Sequence, residues 1–201
     1  MTHIEGPAGA LELAVDVRGG DCAVLCHPHP LYGGSMHDAV LGIAEEAWQR
    51  QGGSSIRFNY RGVGASEGSF DGGNGEAEDA VCVANWVRST LETRTLTLLG
   101  YSFGAGVAWR AAAALDDIAQ VVLVAPPMPS MDFPHRGTPR TVLIHGDQDD
   151  FVDAEFATKW AAEQESTRLI TLAGADHFFS GAGKALAAAF DTAFGACKGA
   201  G

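Results

Sequence analysis

A chain of 201 residues, 46% of them hydrophobic, is long enough to bury one sizeable core without disulfides or a metal to hold it together. Its 25 acidic against 13 basic side chains leave a formal charge of −12, which repels a phosphate backbone and an anionic membrane surface alike and excludes nucleic acid as an expected partner. No apolar run is long enough to span a bilayer, and MTHIEGPAGALELAVDVRGG shows no basic segment leading into an apolar one, so a soluble, unexported protein of a single domain (residues 1–201) is expected.

In chain order, the apolar, β-branched runs predicted as strands are Leu11 to Val17, Cys22 to His27, Ser55 to Asn59, Leu96 to Leu99, Gln120 to Val124, Thr141 to His145 and Arg168 to Leu172. Between them, alanine-rich stretches at helical spacing predict helices over Met36 to Arg50, Gly75 to Leu91, Phe103 to Leu115, Asp153 to Glu165 and Gly181 to Phe194. Alternation of this kind is the mark of an α/β fold, a mostly parallel sheet of about seven strands with helices on both faces. Several strands are apolar at nearly every position, as strands buried on both faces are. The five prolines of Pro126 to Pro139 rule out a helix interior or a central strand there and predict a surface crossing, too short for a lid domain.

The four cysteines are Cys22, Cys26, Cys82 and Cys197. Cys22 and Cys26 fall in one predicted strand, where their Cα atoms stand roughly 13 Å apart, beyond the ~7 Å reach of a bridge. Reduced thiols, and with them a cytoplasmic setting, are expected. The tail from Cys197 to Gly201 is predicted to be irregular.

G-x-S-x-G occurs twice, at Gly64–Gly68 around Ser66 and at Gly100–Gly104 around Ser102. A nucleophile elbow needs a strand running straight into a helix, because that turn lifts the serine Oγ clear and aims the helix N-terminus at the site. TLTLL precedes Ser102 and FGAGVAWRAAAAL follows it, which meets the requirement. Ser66 leads into the glycine-rich EGSFDGGNG and is read as a loop residue. The bland alternative for Ser102 is a helix N-cap. A serine nucleophile needs a base and a group that fixes the base's tautomer. Two later strand ends offer them: HGDQDDFVD supplies Asp147, Asp149, Asp150 and Asp153, and GADHFF supplies Asp176 and His177.

Taken together, HPHPLYGGSMHDAV (27–40), FNYRGVGASEGSFDGGNGEAEDA (58–80), GYSFGA (100–105), HGDQDDFV (145–152) and GADHFF (174–179) resemble the compact, lidless α/β-hydrolases related to the dienelactone hydrolase group. The resemblance implies the α/β-hydrolase fold and the chain order Ser, Asp or Glu, His. It places the acid of a G-x-x-D-x-x-V pattern at Asp149, with Asp150 and Asp147 as fallbacks, and the base at His177, with Asp176 solvated beside it. Dienelactone hydrolases proper carry cysteine at the elbow, so the serine here argues against assigning their substrate. An oxyanion hole would combine the N–H of Phe103 with one from the loop after the strand Cys22 to His27. Pro28 and Pro30 have no N–H to give, which leaves Leu31 and Tyr32, and the likeness to H-G-x loops favours Leu31.

On this reading Ser102, His177 and Asp149 cleave an ester, thioester or related acyl bond of a small substrate, with no cofactor implied. An amidase or peptidase using the same triad, or a catalytically silent binding module, are the alternatives. His27, His29 and Cys26 are read as a loop bracing the oxyanion hole and not as a metal site, since alternating side chains in an extended segment point to opposite faces. His145 is expected to be packed or hydrogen-bonded at its strand end, while His3, His37 and His135 carry no partner signal. Arg61 is expected to anchor its loop through an ion pair with Asp38 or Asp71. Glu76, Glu78 and Asp79 are placed in the first turn of a helix, where the macrodipole favours them.

Overall fold

The computed structural model describes residues 2–128, 130–134, 139–164 and 166–195. The ends of two predicted features, Glu165 of the fourth helix and parts of the proline-rich crossing, lie outside the described residues, as do His135 and the tail with Cys197.

Eight strands form one sheet in the order β1-β2-β4-β3-β5-β6-β7-β8. They are β1 (Thr2–Gly6), β2 (Gly9–Asp16), β3 (Asp21–Cys26), β4 (Ser54–Phe58), β5 (Thr95–Tyr101), β6 (Ile118–Val124), β7 (Arg140–Gly146) and β8 (Thr167–Leu172). From β4 onward across the sheet every pairing is parallel, while β1–β2 and β2–β4 are antiparallel. The strand beyond the predicted seven is β1, whose THIEG sequence is short, polar and mostly exposed. It is an edge strand held by its hairpin with β2, and an edge strand needs no apolar alternation to pair.

Five helices cover the faces: α1 (Ala39–Arg50), α2 (Asn74–Thr90), α3 (Phe103–Ala113), α4 (Ala154–Ala162) and α5 (Gly183–Gly195). Alternate strand residues face opposite layers. Ala23, Leu25, Leu99, Val122 and Ile144 pack beneath α1 and α5. Cys22, Val24, Leu96 and Leu98 pack beneath α2 and α3, and Val121, Leu123 and Leu143 meet Trp109 and Trp160 of α3 and α4. Helix α1 starts later than the periodicity predicts, because Asp38 caps it by accepting from the N–H groups of Val40 and Leu41, leaving Met36 buried in the loop before it.

Arg61 is where the expected pairing is corrected. Its guanidinium binds Asp79 on α2, with Nη2 at 2.8 Å and Nε at 3.1 Å, and reaches Glu78 at 3.3 Å, not Asp38 or Asp71. Asp38 is occupied as a cap, and Asp71 accepts from Gly75 N–H. Of the acidic run only Glu76 lies in the first turn of α2, taking the N–H groups of Asp71 and Gly73; Asp79 sits a turn further in, where it meets Arg61. Asp79 is wholly buried and Arg61 nearly so, and the hydrogen bonds to Asp79 raise the arginine's pKa further. Removing one partner strands a buried charge, so Asp79→Ala should cost about 3–5 kcal/mol in urea unfolding. The doubly apolar Arg61→Met with Asp79→Leu should recover part of that loss.

Candidate active site

The turn from β5 into α3 holds Ser102 at φ 53° and ψ −122°, a backbone region that L-residues with a side chain avoid. Packing enforces it. A Cβ on Gly100 would run into the carbonyl oxygen of Gly104, and one on Gly104 into the carbonyl of Cys26, so both positions need glycine for α3 to start this close to the strand ends. Ser102 N–H donates to the Val124 carbonyl at 2.8 Å, which fixes the turn against β6. Ser102 stands at the N-cap position of α3 but makes no side-chain capping bond, leaving Oγ free for another partner.

That partner is His177, whose Nε2 lies 3.0 Å from Ser102 Oγ. On the other side of the ring, His177 Nδ1 lies 2.8 Å from Asp149 Oδ2. A carboxylate only accepts, so Nδ1 carries the proton and Nε2 is left to accept from Oγ. The Asp149 side chain is fully buried. Burial alone would raise its pKa, but the hydrogen bond from His177 and the N–H groups of Phe151 and Val152, at 2.8 and 3.0 Å from Oδ1, outweigh it and hold the carboxyl below its ordinary value.

The other carboxylates of HGDQDDFVD have separate work. Asp147 accepts from Gly174 N–H at 2.7 Å, and the N–H groups of Asp147 and Gln148 donate to Leu172 and Ala175. These bonds tie the loop after β7 to the loop that carries His177. Asp153 caps α4, and Asp150 is exposed. Asp176 accepts from Ser180 N–H at 2.8 Å and so stabilises the turn beyond His177. The second G-x-S-x-G match is a staple: buried Ser66 donates to the Asn59 carbonyl and accepts from Glu12 N–H.

Phe103 is the first residue of α3, where a backbone N–H has no intrahelical acceptor. Leu31 and Tyr32 lie in a single 3-10 turn, Pro30–Tyr32. Tyr32 N–H is bonded to the His29 carbonyl at 3.1 Å, whereas Leu31 N–H meets only the His29 ring Nδ1 at 3.2 Å.

Three further residues bear on the site, of which only Tyr101 was given no reading from the sequence. Tyr101 OH donates to the His177 carbonyl at 3.1 Å, bracing the histidine from the residue next to Ser102. His145, wholly buried, puts Nδ1 3.8 Å from Asp149 Oδ2; burial pushes its pKa down, against the opposing effect of that carboxylate. His27 is a buried brace: Nδ1–H donates to the Pro28 carbonyl at 2.7 Å, and Nε2 accepts from Tyr60 N–H at 3.2 Å. The contact of Tyr101 joins residues far apart in sequence, so no local signal marks it. A groove of about 670 Å³ lined by Val81, Cys82, Asn85 and Arg110 includes none of Ser102, Asp149 or His177.

Residues 36–136 match the family described as alpha/beta hydrolase fold. A lidless α/β serine hydrolase from Xanthomonas campestris is 38% identical and superposes with a TM-score of 0.92 over 100% of this chain and 95% of that one. An α/β serine hydrolase homologue from Coxiella burnetii is 31% identical, with a TM-score of 0.89 over 96% and 95%. An uncharacterised protein of Rickettsia prowazekii is 30% identical over 88% of this chain and 81% of its own length. The chain belongs to the alpha/beta hydrolase family. Its fold is that of the serine hydrolases within it, and among the described residues no helix is long and apolar enough to cross a membrane.

Burial pushes the His27 imidazole down to about 4, against the small opposing effect of its bond to Pro28. Below pH ~6.5 the unfolded chain therefore takes up a proton that the folded protein refuses until about pH 4. Stability should fall as acid is added across that window and the penalty should level off below it. Urea unfolding at pH 7 and pH 4 should show wild type losing roughly 2–3 kcal/mol more than His27→Gln.

Proposed function

We propose that the protein is a serine hydrolase that cleaves an ester, thioester or related acyl bond of a small substrate through an acyl-enzyme. The observation that carries this reading is the unbroken hydrogen-bonded line from Ser102 Oγ through His177 to the buried carboxylate of Asp149, set on a strained elbow. Ser102 Oγ attacks the carbonyl carbon while His177 Nε2 takes its proton, and Asp149 stabilises the imidazolium that results. The carbonyl oxygen becomes an oxyanion held by the N–H groups of Phe103 and Leu31. Collapse breaks the bond to the leaving group, which receives the proton from His177. Water, deprotonated by the same imidazole, then attacks the acyl-enzyme, and the acid leaves with Ser102 restored. Every step uses the protein's own groups and calls on no cofactor. The charge of −12 and the unbridged Cys22, Cys26 and Cys82 favour a cytoplasmic setting and an uncharged small-molecule partner.

A fluorophosphonate probe should label the folded protein once, at Ser102, with the adduct absent from Ser102→Ala in intact-mass and peptide mapping. A folded sample that stays unlabelled would count against an activated serine. Asp149→Asn should keep the fold but lower kcat by about 10⁴ on an ester limited by acylation. Asp150→Asn should leave it close to wild type, and the reverse result would reassign the acid.

A further inference from the structure

Six large apolar side chains are well exposed among the described residues; two of them, Phe151 at 61% and Phe178 at 62%, lie against the His177 ring, and two more, Leu31 at 67% and Tyr32 at 88%, stand on the 3-10 turn after β3. Exposed apolar side chains scattered singly need no explanation, whereas gathered ones mark a place where something binds. The rings form two clusters. On the base side, Phe151 lies 4.7 Å from the His177 ring and Phe178 5.3 Å from it, edge-on at 87°. Phe151 and Phe178 are also edge-to-face, at 5.9 Å. On the oxyanion side His29 is the hub, with Tyr32 at 4.7 Å, Phe103 at 4.8 Å and Phe70 at 5.0 Å.

The first cluster reaches Ser102 through His177 Nε2, and the second ends on Phe103, its neighbour in the chain. Tilted and edge-on contacts at these separations are the arrangements that aromatic quadrupoles favour, and each cluster leaves ring surface open for one more partner. The phenylalanine rings of both clusters carry no charge. Asp150 precedes Phe151 directly and Asp176 stands two residues before Phe178, and the bonds of Asp176 to Ser180 hold its carboxyl below the ordinary value, so an anionic group approaching this side is repelled.

Resting on the hydrolase reading above, we propose that the substrate is a neutral ester bearing an aromatic ring, bound with that ring against Phe151 and Phe178 or against Tyr32 across the nucleophile. The specificity is set by exposed side chains of the mouth, with no enclosed pocket required.

The test compares kcat/KM for ethyl acetate, ethyl phenylacetate, benzyl acetate and the cyclohexyl counterparts of the two aryl esters. At least one aryl ester should exceed ethyl acetate tenfold or more, and exceed its cyclohexyl counterpart by about threefold. In Phe151→Ala with Phe178→Ala, or in Tyr32→Ala, the aryl-to-ethyl ratio should fall at least fivefold; the exposure of these side chains keeps the fold out of question, and the ratio is read within each variant. Turnover of all the esters with no aryl preference, or a preference the variants leave intact, would overturn the proposal while the hydrolase reading stands. No turnover of any ester, together with no phosphonate on Ser102, would instead remove the reading on which it rests.

Discussion

The close approach of α3 to the ends of β3 and β5 is the constraint on which the rest of the molecule depends. Gly100 and Gly104 remove the side chains that would hold the helix away, and the price is a serine in a backbone region that its Cβ disfavours. That strain, of order 1–3 kcal/mol, is held by the surrounding core and by the bond from Ser102 N–H to β6. In exchange, the first turn of the helix presents its N–H groups where negative charge would build up, and the Oγ stands clear of them.

Around that point the parallel sheet gathers the remaining groups. Strands β3, β5, β7 and β8 run the same way, so their C-terminal loops meet at one edge, and each contributes one part: the 3-10 turn, the serine, the aspartate and the histidine. The last two loops are joined by Asp147, Gln148 and Gly174, so Asp149 and His177 are placed relative to one another by backbone bonds as well as by their own contact.

Much of this was legible in the residues. Continuous apolar runs marked β3, β5, β6 and β7, since a strand covered on both faces has no polar side to show. The elbow stood out because strand, glycines and helix are contiguous at Ser102 and are not at Ser66. Asp149, by contrast, was picked from several carboxylates by likeness to a family pattern; what separates it physically is burial and two backbone N–H groups, which only the folded loop supplies. The partner of Arg61 was missed for a related reason. Asp79 looks like a helix-start residue in sequence, and only the packing of α2 on the loop turns it toward the guanidinium. Strand β1 escaped because hairpin pairing, and no hydrophobic pattern, holds it in the sheet.

Tyr101 and Ser102 are consecutive, yet one grips the backbone of His177 while the other meets its ring. The spacing between serine and imidazole is thus gauged from a central strand, like two marks on one ruler, and owes little to the length of the segment between β6 and β7. A lineage of such proteins has room to lengthen that crossing without first having to rebuild the distance between hydroxyl and imidazole.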